Sequence, residues 1–144
     1  MPDLKQLRKE HVELAALALQ LSTMVAQDVP PPSRELYKLR MTLTSALIRH
    51  LKTEDWLLYP GLLRGSNERV TLTSRVFSAE MGSLATEFRD YANRWGAGAI
   101  EGDWKGYQRE TADILRILTL RIAREERDLY PHLGPTILAR EPSA

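Results

Sequence analysis

Residues 47–62 and 118–133 are two copies of one segment, and this doubling constrains the fold more than any other feature of the chain. With Leu47 set on Leu118, Glu54 falls on Glu125, Asp55 on Glu126, Leu58 on Leu129, Tyr59-Pro60 on Tyr130-Pro131 and Leu62 on Leu133. The copies part at His50, which meets Arg121. The likeness continues upstream, where Glu10-His11 falls on Glu80-Met81, Leu14 on Leu84 and Ala15 on Ala85. Each half therefore reads as two helices, and the whole as one supersecondary unit used twice.

The spacing of apolar residues says which way those helices face. Residues three and four apart lie on one side of an α-helix. Four such seams appear. They run Leu4, Leu7, His11, Leu14, Ala18, Leu21, Val25; Leu36, Arg40, Leu43, Leu47, His50, Glu54, Leu57; Val70, Ser74, Phe77, Met81, Leu84, Phe88, Tyr91, Trp95; and Tyr107, Thr111, Ile114, Leu118, Arg121, Glu125, then Leu129. Breaks fall between them at Asp28 to Ser33, Gly61 to Asn67 and Gly96 to Asp103, with Ser33 and Asp103 as expected N-caps. Short connections between four helices predict an all-α, antiparallel up-down-up-down four-helix bundle over residues 1–134. Residues 135–144 form a tail with a short helical stretch expected around Ile137-Leu138.

Composition removes several classes of function. The formal net charge is +1 and the charges are interspersed, so no basic stripe predicts nucleic acid as a partner. No apolar run approaches the ~18 residues of a membrane span, and the first residues lack a secretory pattern, so a cytoplasmic protein is expected. The chain has no cysteine, which excludes disulfides, thiolate catalysis and thiolate metal ligation. No Ser-His-Asp spacing or Gly-rich phosphate loop is present, and no catalytic residue is assigned. Trp56 and Trp104 lie off the seams and are candidates for a protein contact surface. Tyr59 and Tyr130, each ahead of a proline, are expected to pack their rings and leave their hydroxyls in water. His132 is expected at the surface.

The polar residues on the seams carry the chemistry. His11, His50, Glu54, Arg121 and Glu125 all face the predicted core at about one level of the bundle. Ionisable groups are rarely buried unless paired or bound to a metal. Imidazole and carboxylate together suit iron, manganese or zinc, so His11, His50, Glu54 and Glu125 are the candidate ligands of one ion. Met81 and Arg121 occupy the matching positions of the second half. Arginine stays protonated and cannot ligate, so half of a two-fold site is lost.

The order and spacing of these residues resemble the hemerythrin-like, or HHE cation-binding, family. That family's pattern is a His in helix one, His-x-x-x-Glu in helix two, a His in helix three and His-x-x-x-Glu in helix four, with Leu-Tyr-Pro commonly after each Glu. The chain matches at His11, at His50 to Glu54 with Leu58-Tyr59-Pro60, and at Glu125 with Leu129-Tyr130-Pro131; it departs at Met81 and Arg121. The resemblance implies a four-helix bundle and a non-haem iron centre that binds oxygen or responds to oxygen, iron or redox state. Two readings follow from the departures. In one, a single iron makes the domain a sensor or stress-response protein rather than an oxygen carrier. In the other, the bundle is a metal-free regulatory or protein-interaction module, and Arg121 pairs with Glu54, Glu125 or both in place of the metal.

Overall fold

The structure, a computed structural model, describes residues 2–134. The tail 135–144, including the helical stretch expected at Ile137-Leu138, lies outside the described residues. Helix α1 spans Leu4–Val25 and is capped by Asp3, whose side chain accepts from the Lys5 N–H at 3.1 Å. Helix α2 spans Ser33–Thr53, passes without a break into a π turn over Glu54–Leu58, and ends as the short α3, Tyr59–Leu63. Ser33 is the first helical residue here and Pro32 precedes it as the cap, one position earlier than expected. The third rod is two helices, α4 (Glu68–Met81) and α5 (Leu84–Arg94). A short α6, Ala97–Gly102, lies inside the expected third break. Helix α7, Trp104–Arg124, is capped by Asp103 as expected and runs into a second π turn at Glu125–Leu129 and a 3-10 turn at Tyr130–His132. No strand occurs among the described residues, and no helix among them is long and apolar enough to cross a membrane.

Packing closes the bundle. Helix α1 lies against α2 and α7, and α5 lies against the same two. Seam residues fill the centre: all seven of α1 are buried, and Leu43, Leu47, Leu84, Phe88, Tyr107 and Leu118 are at most 1 % exposed. Each such leucine or phenylalanine contributes roughly 1.5–3 kcal/mol by leaving water. The apolar core forms two clusters, one including Leu14, Leu47, Leu84 and Leu118, the other Leu7, Leu58, Phe77, Met81 and Leu129. His11 on α1, Glu54 after α2, and Arg121 and Glu125 at the end of α7 fall between the two clusters in sequence, while His50 stands among residues of the first.

Where the helical period fails, proline is the cause. Pro60 and Pro131 have no N–H, and in a regular helix their rings would strike the carbonyl four residues back. Each helix answers by widening: the Tyr59 N–H reaches Glu54 O and the Tyr130 N–H reaches Glu125 O, five residues back instead of four. One extra residue in that turn rotates everything after it. Leu57, placed on the seam by a constant period, is 56 % exposed, while Leu58 is fully buried and Tyr59 nearly so.

The tryptophans also depart in part from expectation. Trp56 stands in solvent, with the Lys52 ammonium 5.4 Å from its ring. Trp104 is buried, and its indole N–H donates to the Gln27 carbonyl at 2.9 Å, so it ties α7 to the end of α1 and offers no contact surface. Its position one residue after the Asp103 cap turns it inward against Tyr107. The register change generates a direct prediction. Leu58→Ala should cost about 2–5 kcal/mol in urea unfolding, and Leu57→Ala within about 0.5 kcal/mol of nothing. Equal costs would mean that the turn is regular.

Candidate metal centre

Two helices of the first half and the end of α7 deliver the polar layer. His11 comes from α1, His50 from the last turn of α2, Glu54 from the start of the first π turn, and Glu125 from the start of the second. All four are at most 3 % exposed, and each brings one ligand atom into a space where all four atoms lie within 4.8 Å of one another. The four residues read from the seams are therefore brought together. Of the two divergent positions, Met81 is buried below the layer with Phe77 and Leu129, and Arg121 stands inside it.

The imidazoles are oriented from behind. His50 Nδ1 donates to Glu10 Oε1 at 2.7 Å, and His11 Nδ1 donates to Glu126 Oε2 at 3.0 Å. A carboxylate accepts only, so each Nδ1 carries a hydrogen and each ring turns Nε2 inward. His11 Nε2 lies 3.1 Å from Glu125 Oε1. His50 Nε2 lies 3.2 Å from Glu54 Oε1, outside hydrogen-bonding geometry, and is buried without a hydrogen-bond partner among the described residues. A buried ring nitrogen left in this way is one that a cation would satisfy once its proton is displaced.

Arg121 fills the other half of the layer. Its Nη2 donates to Glu54 Oε1 at 3.2 Å and to Asp55 Oδ1 at 2.7 Å, and its Nε donates to Glu125 Oε2 at 3.3 Å. Its Nη1 donates to the Met81 carbonyl at 2.9 Å. That carbonyl is available because α4 ends at Met81, and the last carbonyls of a helix have no partner within it. Of the expected alternatives, Arg121 pairs with both glutamates, and Asp55 joins them.

Three groups were not assigned to the site from sequence. Asp55 and Glu126 hold equivalent places in the repeat, so that likeness was the available signal. Glu10 neighbours His11 in sequence yet serves His50. The tyrosines overturn their expectation: Tyr59 and Tyr130 are buried, and their hydroxyls donate to Glu125 Oε2 at 2.6 Å and to Glu54 Oε2 at 2.5 Å. The π turns rotate them into the layer. His132 is exposed, as expected.

The charges follow this geometry. Burial by itself would lower the His50 pKa, but the adjacent Glu54 carboxylate and then Glu10 outweigh it and raise the group to about 9. Burial would raise Glu54, and the His50 charge followed by Arg121 instead hold it well below the carboxylate range. Glu125 moves the other way, pushed up by burial and by the charge of Glu54. Of the two buried carboxylates, Glu125 is thus the one that takes a proton. Burial, followed by the charges of the two glutamates, pushes both tyrosine hydroxyls far up, and they remain donors. Arg121 is held protonated by Glu125, Glu54 and Asp55 against its own burial.

Two outcomes are expected of the metal-free protein. Arg121→Ala leaves buried negative charge uncompensated and should cost about 3–5 kcal/mol in thermal or urea unfolding; an unchanged melting temperature would remove the pairing. His50 has a folded pKa of about 9 against an ordinary 6.5, so its contribution is complete below about 6.5 and is lost as pH rises through about 9. Melting temperature should therefore fall across that window, and a flat profile there would contradict the assignment. Among comparisons with known proteins, the family model for the hemerythrin HHE cation binding domain matches residues 3–133. No curated protein and no solved structure gives a match to the chain. With the match spanning nearly the whole chain and the bundle carrying its histidines and glutamates on one buried layer, the chain belongs to the hemerythrin HHE cation-binding family.

Proposed function

We propose that this domain binds a single iron ion through His11, His50, Glu54 and Glu125, and acts as a small iron-dependent sensor or stress-response module rather than as an oxygen carrier. The observation that carries the reading is the asymmetry of the layer: four ligand atoms converge in one half, and a guanidinium is hydrogen-bonded into the other. The donor set fits a cation. Both imidazoles are held with Nε2 inward, and His50 Nε2 has no hydrogen-bond partner among the described residues.

Charge supports one ion in preference to two. Three carboxylates, Glu54, Asp55 and Glu125, touch one guanidinium, which leaves a surplus of two negative charges, the charge of one divalent cation. In the metal-free protein, protons on His50 and Glu125 meet that surplus, so uptake of a cation displaces them and weakens in acid. Arg121 repels a second ion at close range. Iron, when bound, supplies a redox change and affinity for small ligands. Two-iron oxygen carriage has no donor set here, because Met81 and Arg121 replace the nitrogens it needs.

A second reading is favoured by one specific feature, the four hydrogen bonds of Arg121. In it the guanidinium alone neutralises the layer, and the domain is a metal-free regulatory or protein-interaction module. Metal content separates the two. Protein expressed with added iron and purified without chelators should carry about one iron per chain by mass spectrometry, and His50→Ala should lose it. About two would overturn the single-ion reading. No metal, with a melting temperature indifferent to added iron, would support the metal-free module.

A further inference from the structure

The tyrosines that close the two repeated segments do not serve their own halves. Tyr59 follows Glu54 but donates to Glu125, and Tyr130 follows Glu125 but donates to Glu54. Both bonds end on Oε2. The other oxygen of each carboxylate faces an imidazole, Glu125 Oε1 at 3.1 Å from His11 Nε2 and Glu54 Oε1 at 3.2 Å from His50 Nε2; Glu54 Oε1 also accepts from Arg121 Nη2 at 3.2 Å and keeps a second lone pair for a cation. A carboxylate can hold a cation through one oxygen, through both, or bridge two cations. A hydroxyl fixed on one oxygen by a short hydrogen bond to a charged acceptor takes that oxygen out of the choice.

We propose that Tyr59 and Tyr130 are positioning residues that hold Glu125 and Glu54 as one-oxygen donors to a single cation. The inference rests on the single-ion reading of His11, His50, Glu54 and Glu125. The rings have little freedom to turn away. Tyr130 lies flat on His11, with planes 4° apart and centroids 5.0 Å apart, and the Arg121 guanidinium stands 5.7 Å from the centre of the Tyr59 ring. Two imidazole nitrogens and two single oxygens then form the donor set, and neither carboxylate has an oxygen left to bridge to a second ion. Loss of the Tyr130 hydroxyl frees Glu54 Oε2 to move, and loss of the Tyr59 hydroxyl leaves Glu125 Oε2 held only by Arg121 Nε at 3.3 Å.

Cobalt(II) alone is a suitable probe, because its visible absorption changes with the number and arrangement of its donors. Its affinity is read by competition with a chelating dye for the parent, Tyr59→Phe and Tyr130→Phe proteins, each first shown to be folded by circular dichroism. The parent should take up about one cobalt per chain. Each variant should still take up about one, bind it roughly 10–100-fold more weakly, and show an altered visible band. If one variant fails to fold, the other decides. Unchanged affinity and band in the folded variants, even with lowered melting temperatures, would overturn the proposal and leave the tyrosines as packing groups. A parent that takes up no cobalt would sink the metal-site reading itself, an outcome distinct from variants that match a cobalt-binding parent.

Discussion

A guanidinium buried at the centre of a four-helix bundle sets the terms for everything around it. Arg121 is 2 % exposed, and the loss of water around such a charge costs several kcal/mol unless other groups replace its hydrogen bonds. The replacements come from three elements: Glu54 and Asp55 at the first π turn, Glu125 at the second, and the carbonyl that α4 leaves free at Met81. The requirement runs both ways, since the same carboxylates would be unstable in this interior without a cation beside them. A metal ion and an arginine are two answers to one electrostatic problem. This chain gathers four side chains that could hold the first in one half of the layer and has the second built into the other.

The π turns connect that layer to the rest of the fold. In a regular helix a proline ring would clash with the carbonyl four residues back, and the helix relieves the clash by taking one more residue into that turn. The relief has a structural consequence beyond the turn itself. Glu54 and Tyr59, which a constant helical period would turn to different sides, both face inward, and so do Glu125 and Tyr130. The proline thus places a phenol beside a carboxylate, and the two-fold arrangement of the halves sends each phenol to the other half's glutamate. The lower apolar cluster, with Leu58, Leu129 and both tyrosine rings, then seals the layer from that end.

Much of this was legible in the residues. The seam of α1 from Leu4 to Val25 is buried as its spacing predicted, and those of α4, α5 and α7 follow the expected phase, including the polar positions. His11, His50, Glu54 and Glu125 could be named because each interrupts an apolar stripe, and the repeat assigned Met81 and Arg121 to the corresponding places. The repeat marked Asp55 and Glu126 only as an equivalent pair and nothing marked Glu10 as a partner of His50, since an acidic side chain beside a ligand in sequence is usually solvated. What they contact is decided by the neighbouring helix.

The amino-acid order by itself determined the architecture: the helical periods, the breaks between them and the internal repeat leave one way to bury four apolar stripes, and they set the ionisable residues at one level. Tertiary structure alone decided how those residues share their bonds. A period of 3.6 residues holds only while each carbonyl meets the fourth N–H beyond it, and the widened turns before Pro60 and Pro131 break that rule locally. Partners on different helices, such as Tyr59 with Glu125 or Arg121 with Asp55, are separated by more than sixty residues and meet only once the bundle closes. Local pattern fixes which side of a helix a residue takes; the choice of partner across the core is made by packing and by the need to neutralise buried charge.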